Sequence, residues 1–437
     1  MKRLKLKKFL APLAAGSLIL SLAACSGTSS SSSSSSKTSS NGSVTINFSF
    51  DQGVGKPAQQ IVNEFNKSQN KVHVNTVILP QDANTVHDNF VNKLASEDTS
   101  VDVMAADVVY VSEFASAGWL TDLTPYFKKS TLNQFIPGTV DAATFKGKLD
   151  AVPWFTNASA LFYRKDVLDQ LGVTQPPTTY QGWIDLANKA KGVNGVQYLA
   201  DFQAAQSESM VTNWVEFLWN NGGDVLDKSG KPIVNSSANI KATQTMVDLA
   251  KNYAPTGVTT YAEPESEQVF LAGKALFLRD WSGFWSQANA KGSQVAGKVG
   301  VTFLPVETDR MQSHSCLGGL DLVVNNAIDA KHKQATVDFI KYLTSEKIQK
   351  EFNLIAAQPP VLKAVYTDPD VLKENPFYKD FYNIILNGKS RPMSPKYAKV
   401  SDAIQKNIHQ ALTGTIDVKT ALDNTQKDIE KANNSSN

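Results

Sequence analysis

The residues of this chain that could do chemistry are aromatic rings set beside carboxylates, amides and arginines at segment ends. Trp281 and Trp285 are four apart in "FLRDWSGFWSQ", with Arg279, Asp280 and Gly283 around the first. Trp154-Phe155 follows Pro153, Phe162-Tyr163 precedes Arg164, and Trp214 and Trp219 flank Phe217. Flat aromatic faces pack well against the C–H faces of pyranose rings, while carboxylates, amides and arginines hydrogen-bond the hydroxyls. Exclusion of water makes such bonds selective, because an unpaired polar group in the site is costly. A single ring of this kind is more often core. Trp281 departs from that expectation through its polar, turn-prone setting.

The same search for catalytic chemistry finds little. The chain has no P-loop, no G-x-G-x-x-G, no H-E-x-x-H and no G-x-S-x-G. Its histidines, His73, His87, His314, His332 and His409, are scattered. His314-Ser-Cys316 is the only close His/Cys pair, and one pair makes neither a zinc site nor a catalytic dyad. Carboxylates are plentiful, as a glycosidase requires, but nothing in the sequence singles out a pair.

The elements that must position these groups alternate between strand and helix. Val44–Phe50 alternates apolar and polar residues, as a half-buried strand does. Pro57 opens a helix with Ala58, Ile61, Val62 and Phe65 on one face. Val72–Ile78 reads as a second strand, a helix spans about 85–96, and Val101–Met104 reads as a third strand. This β-α-β-α-β order predicts a parallel sheet covered by helices. Ligands of such sheets gather at the carboxyl ends of strands, and Asp107 lies just beyond the third. Further on, Gln334–Leu343 reads as helical. Val400, Ala403, Ile404, Ile408, Ala411 and Leu412 form a helical stripe that Gly414 ends, and Asp417 caps a last helix.

The N-terminus carries a different kind of information. Lys2, Arg3, Lys5, Lys7 and Lys8 precede an uncharged apolar run from Phe9 to Leu22, which is short for a membrane span and has the flanks of an export signal. Removing those five charges from the net charge of +2 leaves −3. The apparent basicity therefore belongs to the signal, and nothing suggests a nucleic-acid partner. Leu22-Ala23-Ala24-Cys25 resembles the lipobox of bacterial lipoproteins. That resemblance implies cleavage after residue 24 and a diacylglycerol on the sulfur of Cys25. The serine-rich stretch to Ser43 has nothing to bury. Its roughly eighteen residues make a flexible tether with a typical reach of about 20–25 Å. With Cys25 acylated, Cys316 stands alone and reads as a small buried hydrophobe. About 390 residues remain, enough for two domains or one two-lobed body.

Taken together, several stretches resemble the extracytoplasmic solute-binding proteins of ABC sugar importers, in their trehalose/maltose-binding branch. They are "DVMAADVVYVSEFASAGWLTDLTPYF" (Asp102–Phe127), "AVPWFTNASALFYRKDVLDQLG" (Ala151–Gly172), "FQAAQSESMVTNWVEFLWNNGGDVL" (Phe202–Leu226), "FLAGKALFLRDWSGFW" (Phe270–Trp285), "LGGLDLVVN" (Leu317–Asn325) and "SRPMSPKYAKVSDAIQKNIHQALTG" (Ser390–Gly414). The resemblance implies an α/β fold of the two-lobed periplasmic-binding-protein type, maltose-binding-protein-like, with sugar in the cleft between lobes. It implies lobe 1 at 44–155 plus 306–350 and lobe 2 at 156–305 plus 351–437. The three crossings would fall near Phe155, Leu304-Pro305 and Lys350.

Residue by residue, the resemblance implies that Asp107 binds sugar hydroxyls from lobe 1 and that Glu208 lines the cleft on lobe 2. Trp281 would be the stacking ring, Gly318 and Gly319 a backbone-contact turn, and Arg391 an arginine reaching the sugar. Asn157 falls where many members carry aspartate. Leu320 and Ser207 stand where aromatic residues are common, which leaves less ring surface and points to a different di- or oligosaccharide. The implied partners are the sugar, a permease pair with a cytoplasmic ATPase, and the membrane through the Cys25 lipid. The chain would act as a monomer at the outer face of the bacterial cytoplasmic membrane, with no cofactor, no metal and no catalysis. A lipid-anchored glycoside hydrolase and a surface adhesin are the rival expectations.

Overall fold

Alternation of apolar and polar residues turns Ile46, Phe48 and Phe50 to one side of strand β1 (Val44–Asp51), where all three are fully buried. In the computed structural model, which describes residues 42–80 and 83–434, the helix Gly55–Ser68 follows and buries Ala58, Ile61, Val62 and Phe65, with Pro57 in its first turn. Strand β2 (Val72–Leu79) lies parallel to β1, and β3 (Val103–Asp107) lies parallel on its other side. The helix between them spans Ala83–Ala95. The β-α-β-α-β expectation is therefore met. The expected export signal, Cys25 and the serine tract up to Asn41 lie outside the described residues.

A short hairpin, β4 (Thr144–Phe145) with β5 (Lys148–Leu149), leads into β6 (Ala151–Arg164). Strands β7 (Tyr198–Asp201), β8 (Ala275–Trp281), β9 (Val299–Thr302) and β10 (Leu317–Val324) complete the set. The strands run in the order β2-β1-β3-β10-β6-β8-β7, with β9 also on β6. Strand β6 is the connection. Its first half pairs with β10, from Ala151 opposite Val323 to Ala158 opposite Leu317. Its second half pairs with β8, from Ser159 opposite Trp281, and with β9. Two apolar cores follow from this split. One gathers Phe48, Val103, Trp154, Val323 and Phe339, the other Trp214, Met246, Phe277, Ile404 and Leu422.

Strand pairing also decides where the chain passes between the two sheet regions. Strand β6 changes partner between Phe155, opposite Leu320 of β10, and Ser159, opposite Trp281 of β8. Leu304 is buried in the second core, and the chain stays there because Val306 N–H donates to Thr178 O and Glu307 N–H to Asn220 O. Having left β6 after β9, it returns to that strand at Cys316, whose carbonyl accepts from Ser159 N–H at 3.2 Å. Lys350 lies inside the unbroken helix Glu346–Ala356. Pro359-Pro360 also meets β6, where Thr156 N–H donates to Pro359 O at 3.0 Å.

The C-terminal expectations hold locally. The helix Tyr397–Leu412 buries Val400, Ala403, Ile404, Ile408, Ala411 and Leu412. Gly414 follows with φ +73°, the left-handed conformation that glycine adopts without steric cost. Asp417 accepts from Thr420 N–H at 2.9 Å and caps the helix Val418–Asn434. Cys316 is fully buried, and burial pushes its thiol up to about 12, so it packs as the expected hydrophobe.

Candidate functional site

The carboxyl end of β3, the start of β10, the middle of β6 and the end of β8 meet in one place. Asp107 ends β3 opposite Leu320 of β10. Gly318 of β10 is opposite Asn157 of β6, and Ser159 of β6 is opposite Trp281 of β8. Strand order alone thus brings Asp107, Asn157, Trp281, Gly318 and Gly319 together. Gly319 has φ +117°, and a Cβ there would lie 2.3 Å from Phe155 O, so the backbone path admits only glycine. A Cβ on Gly318 would meet the Trp281 ring at 3.6 Å, an ordinary contact. Gly318 therefore keeps ring surface uncovered rather than relieving a clash.

Glu208 arrives from the other core, as the first residue of the helix Glu208–Trp219, where the helix dipole favours a negative charge. Its carboxylate accepts from Arg391 Nη1 at 2.8 Å and from the hydroxyls of Tyr397 and Ser401. Tyr397 and Ser401 sit one turn apart on the helix Tyr397–Leu412. The Nη2 of Arg391 reaches Asp107 Oδ1 at 3.4 Å. One guanidinium, 6 % exposed, thus joins a carboxylate from β3 to a carboxylate from the helix Glu208–Trp219.

Burial raises the Asp107 pKa, and the Arg391 cation opposes that rise. Burial alone would lower the Arg391 pKa, but Tyr397, Asp107 and Glu208 reverse the effect and keep the cation. The Tyr397 phenol is driven up, first by burial and then by the Glu208 charge. Arg391 Nε has no partner among the described residues.

Trp281 is held from below and at its edge. The Arg279 guanidinium lies 4.6 Å from its ring centroid. Arg279 is itself fixed by Glu216, through Nε at 2.8 Å and Nη2 at 2.7 Å. Glu216 also accepts from the Ser159 hydroxyl and from Cys316 N–H at 2.9 Å, which ties the ion pair to both β6 and the arrival of β10. The indole N–H of Trp281 donates to Glu263 Oε1 at 3.2 Å. Asn157 accepts from the Ser282 hydroxyl at 2.6 Å, and its amide donors have no protein partner among the described residues.

All seven candidate residues therefore lie around one locus, with Leu320 opposite Asp107 and Ser207 immediately before the helix that starts at Glu208. Sequence reasoning missed Glu263, Tyr397, Ser401 and Ser282. Tyr397 and Ser401 carried a usable signal, an i,i+4 pair in the same stretch as Arg391. Glu263 carried none, being joined to Trp281 only by folding.

The arrangement is suited to holding hydroxyl groups rather than to acid–base work. Three donors already engage the Glu208 carboxylate, and one arginine is shared between the two acids. Among the described residues no group of three or more His, Cys, Asp or Glu side chains is placed to hold a metal ion. Three of the histidines make structural bonds. His87 meets Glu113 at 3.1 Å, His314 meets Asn387 O at 2.9 Å and His409 meets Thr259 O at 3.0 Å.

Residues 51–350 match the family model described as bacterial extracellular solute-binding protein. A probable ABC transporter-binding protein of Deinococcus radiodurans is 32% identical over 351 residues, covering 78% of this chain and 82% of that protein. A maltose-bound T. maritima protein, MalE3, is 34% identical with a TM-score of 0.78, and the match covers 89% of this chain and 100% of that one. A ribitol complex of an ABC transporter solute-binding protein from Agrobacterium radiobacter K84 is 27% identical with a TM-score of 0.76, covering 89% of this chain and 98% of that one.

Proposed function

The chain belongs to the bacterial extracellular solute-binding protein family, and on that premise we propose that it is a lipid-anchored receptor that captures a di- or oligosaccharide of the trehalose/maltose kind and delivers it to an ABC permease. It has the two-lobed, maltose-binding-protein-like α/β fold, and it is an extracytoplasmic receptor of the sugar-transporting ABC class. The finer reading rests on one observation. Acids from opposite cores, Asp107 and Glu208, converge on Arg391 around the locus that holds Trp281, Asn157 and Gly318. The maltose in the T. maritima relative supports the choice of sugar class.

In this reading lobe 1 is the β1–β3 region with β10 and the helices up to Pro359, and lobe 2 is the rest of the body. Sugar stacks on Trp281 while Asp107, Asn157, Glu208, Arg391 and the Gly318-Gly319 backbone hydrogen-bond its hydroxyls. Contacts to both lobes exist together only in the closed form, so sugar shifts the population toward closure through the three crossings. The closed form docks on the permease pair, whose ATPase drives import. No bond of the sugar is broken. Calorimetric titration of the purified protein with trehalose, maltose, sucrose and longer glucans tests the proposal. Binding of at least one sugar, lost or weakened in Trp281→Ala, is expected. A panel that gives no heat with any sugar refutes the ligand class, and unchanged affinity in Trp281→Ala refutes the stacking role.

A further inference from the structure

We infer that Glu263 is a positioning residue that sets the orientation in which Trp281 meets its ligand. The inference rests on the sugar-binding reading above for its consequence, but not for its geometry. Trp281 ends β8, where strand pairing no longer restrains its side chain beyond Ser159. Two groups do so instead. Arg279 covers one face of the ring at 4.6 Å, and its own position is set by two bonds to Glu216. That contact fixes the ring's depth but leaves it free to flip about Cβ–Cγ, because a cation attracts either face of a π ring alike. The indole N–H bond to Glu263 Oε1, at 3.2 Å, removes that freedom. Glu263 is locked in turn. It opens the helix Glu263–Leu271, and both its oxygens accept from the Ser209 hydroxyl at 2.8 Å, one residue past Glu208. With one face taken by Arg279 and the N–H edge taken by Glu263, the opposite face is left to stack. Ser209 couples that ring to the helix turn that presents Glu208.

A carboxylate acceptor is replaceable by an amide oxygen but not by a methyl group, which separates the role from general packing. The test uses the purified protein, its Glu263→Gln and Glu263→Ala variants, and Trp281→Phe as an assignment control. Of the seven indole N–H signals in a ¹H–¹⁵N spectrum, the one missing in Trp281→Phe belongs to Trp281. In Glu263→Ala that signal is expected to move upfield and exchange faster with solvent, and affinity for the best sugar of the panel to fall by about threefold to tenfold. In Glu263→Gln the signal stays protected and affinity stays within about threefold of the parent. A Trp281 signal that is unmoved in Glu263→Ala overturns the inference, as does a moved signal with unchanged affinity. Equal loss of affinity in both variants also overturns it, because the Gln variant keeps the acceptor. If the parent protein binds no sugar yet the signal moves as described, the sugar reading fails and the pinning of Trp281 by Glu263 stands.

Discussion

Arg391 donates to Glu208 across 2.8 Å at a point where the arginine is almost wholly buried and the glutamate keeps about a third of its exposure. The pair is therefore an anchored charge presented to a partly open acceptor. Arg391→Ala would leave Glu208 facing Tyr397 and Ser401 without its cation. A fully buried pair costs about 3–5 kcal/mol when broken, and the exposure of Glu208 places this loss below that range. A urea midpoint clearly lower than the parent's, together with abolished sugar binding, is the expected outcome. Retained sugar affinity in a folded Arg391→Ala protein would count against the site.

The two adjacent glycines should behave differently. Gly319→Ala puts a Cβ 2.3 Å from Phe155 O at φ +117°, so the β6–β10 backbone must move, at a cost of about 1–3 kcal/mol. Gly318→Ala makes only an ordinary contact with Trp281 and should change stability by no more than about 0.5 kcal/mol. Thermal melts of the two variants decide the matter. Equal melting temperatures would show that the β6–β10 approach is looser than described.

Asp201 gives a pH prediction. It is buried, neither carboxylate oxygen has a partner among the described residues, and burial pushes its pKa from 3.8 up to about 8. Between about pH 4 and pH 8 the folded chain keeps a proton that the unfolded chain releases, so this residue's contribution to stability falls as pH rises through that window. Asp201→Asn cannot ionise. Its urea midpoint should drop less between pH 5 and pH 8 than the parent's, and parallel drops would exclude the assignment.

The proposed lipid anchor is tested in cells. Motivated by Leu22-Ala23-Ala24-Cys25 and the serine tract behind it, Cys25→Ser should move the protein from the membrane fraction to the medium. Two acyl chains hold a protein stably where one holds it marginally. A variant that stays with the membrane would argue for a different mode of attachment.

Much of the fold was legible because it is written in local periodicity. The alternation of Ile46, Phe48 and Phe50, the helical stripe ending at Leu412 and the cap at Asp417 each follow from residues within one or two turns of each other. The site was partly legible for another reason. Asp107 ends a parallel strand, where ligands collect, and Trp281 sits among polar residues that a core ring would avoid.

The sequence by itself determined the two kinds of segment, their order, and the residue types available for holding a sugar. Tertiary structure alone decided how they meet. The insertion of β10 antiparallel between β3 and β6 joins segments far apart in the chain, and nothing in their periodicity names the partner. The same holds for Glu263, whose bond to Trp281 spans two elements. Hydrophobic pattern specifies which face of an element is buried. Which buried face or polar edge it is buried against depends on long-range pairing, and that is settled only when the chain closes on itself.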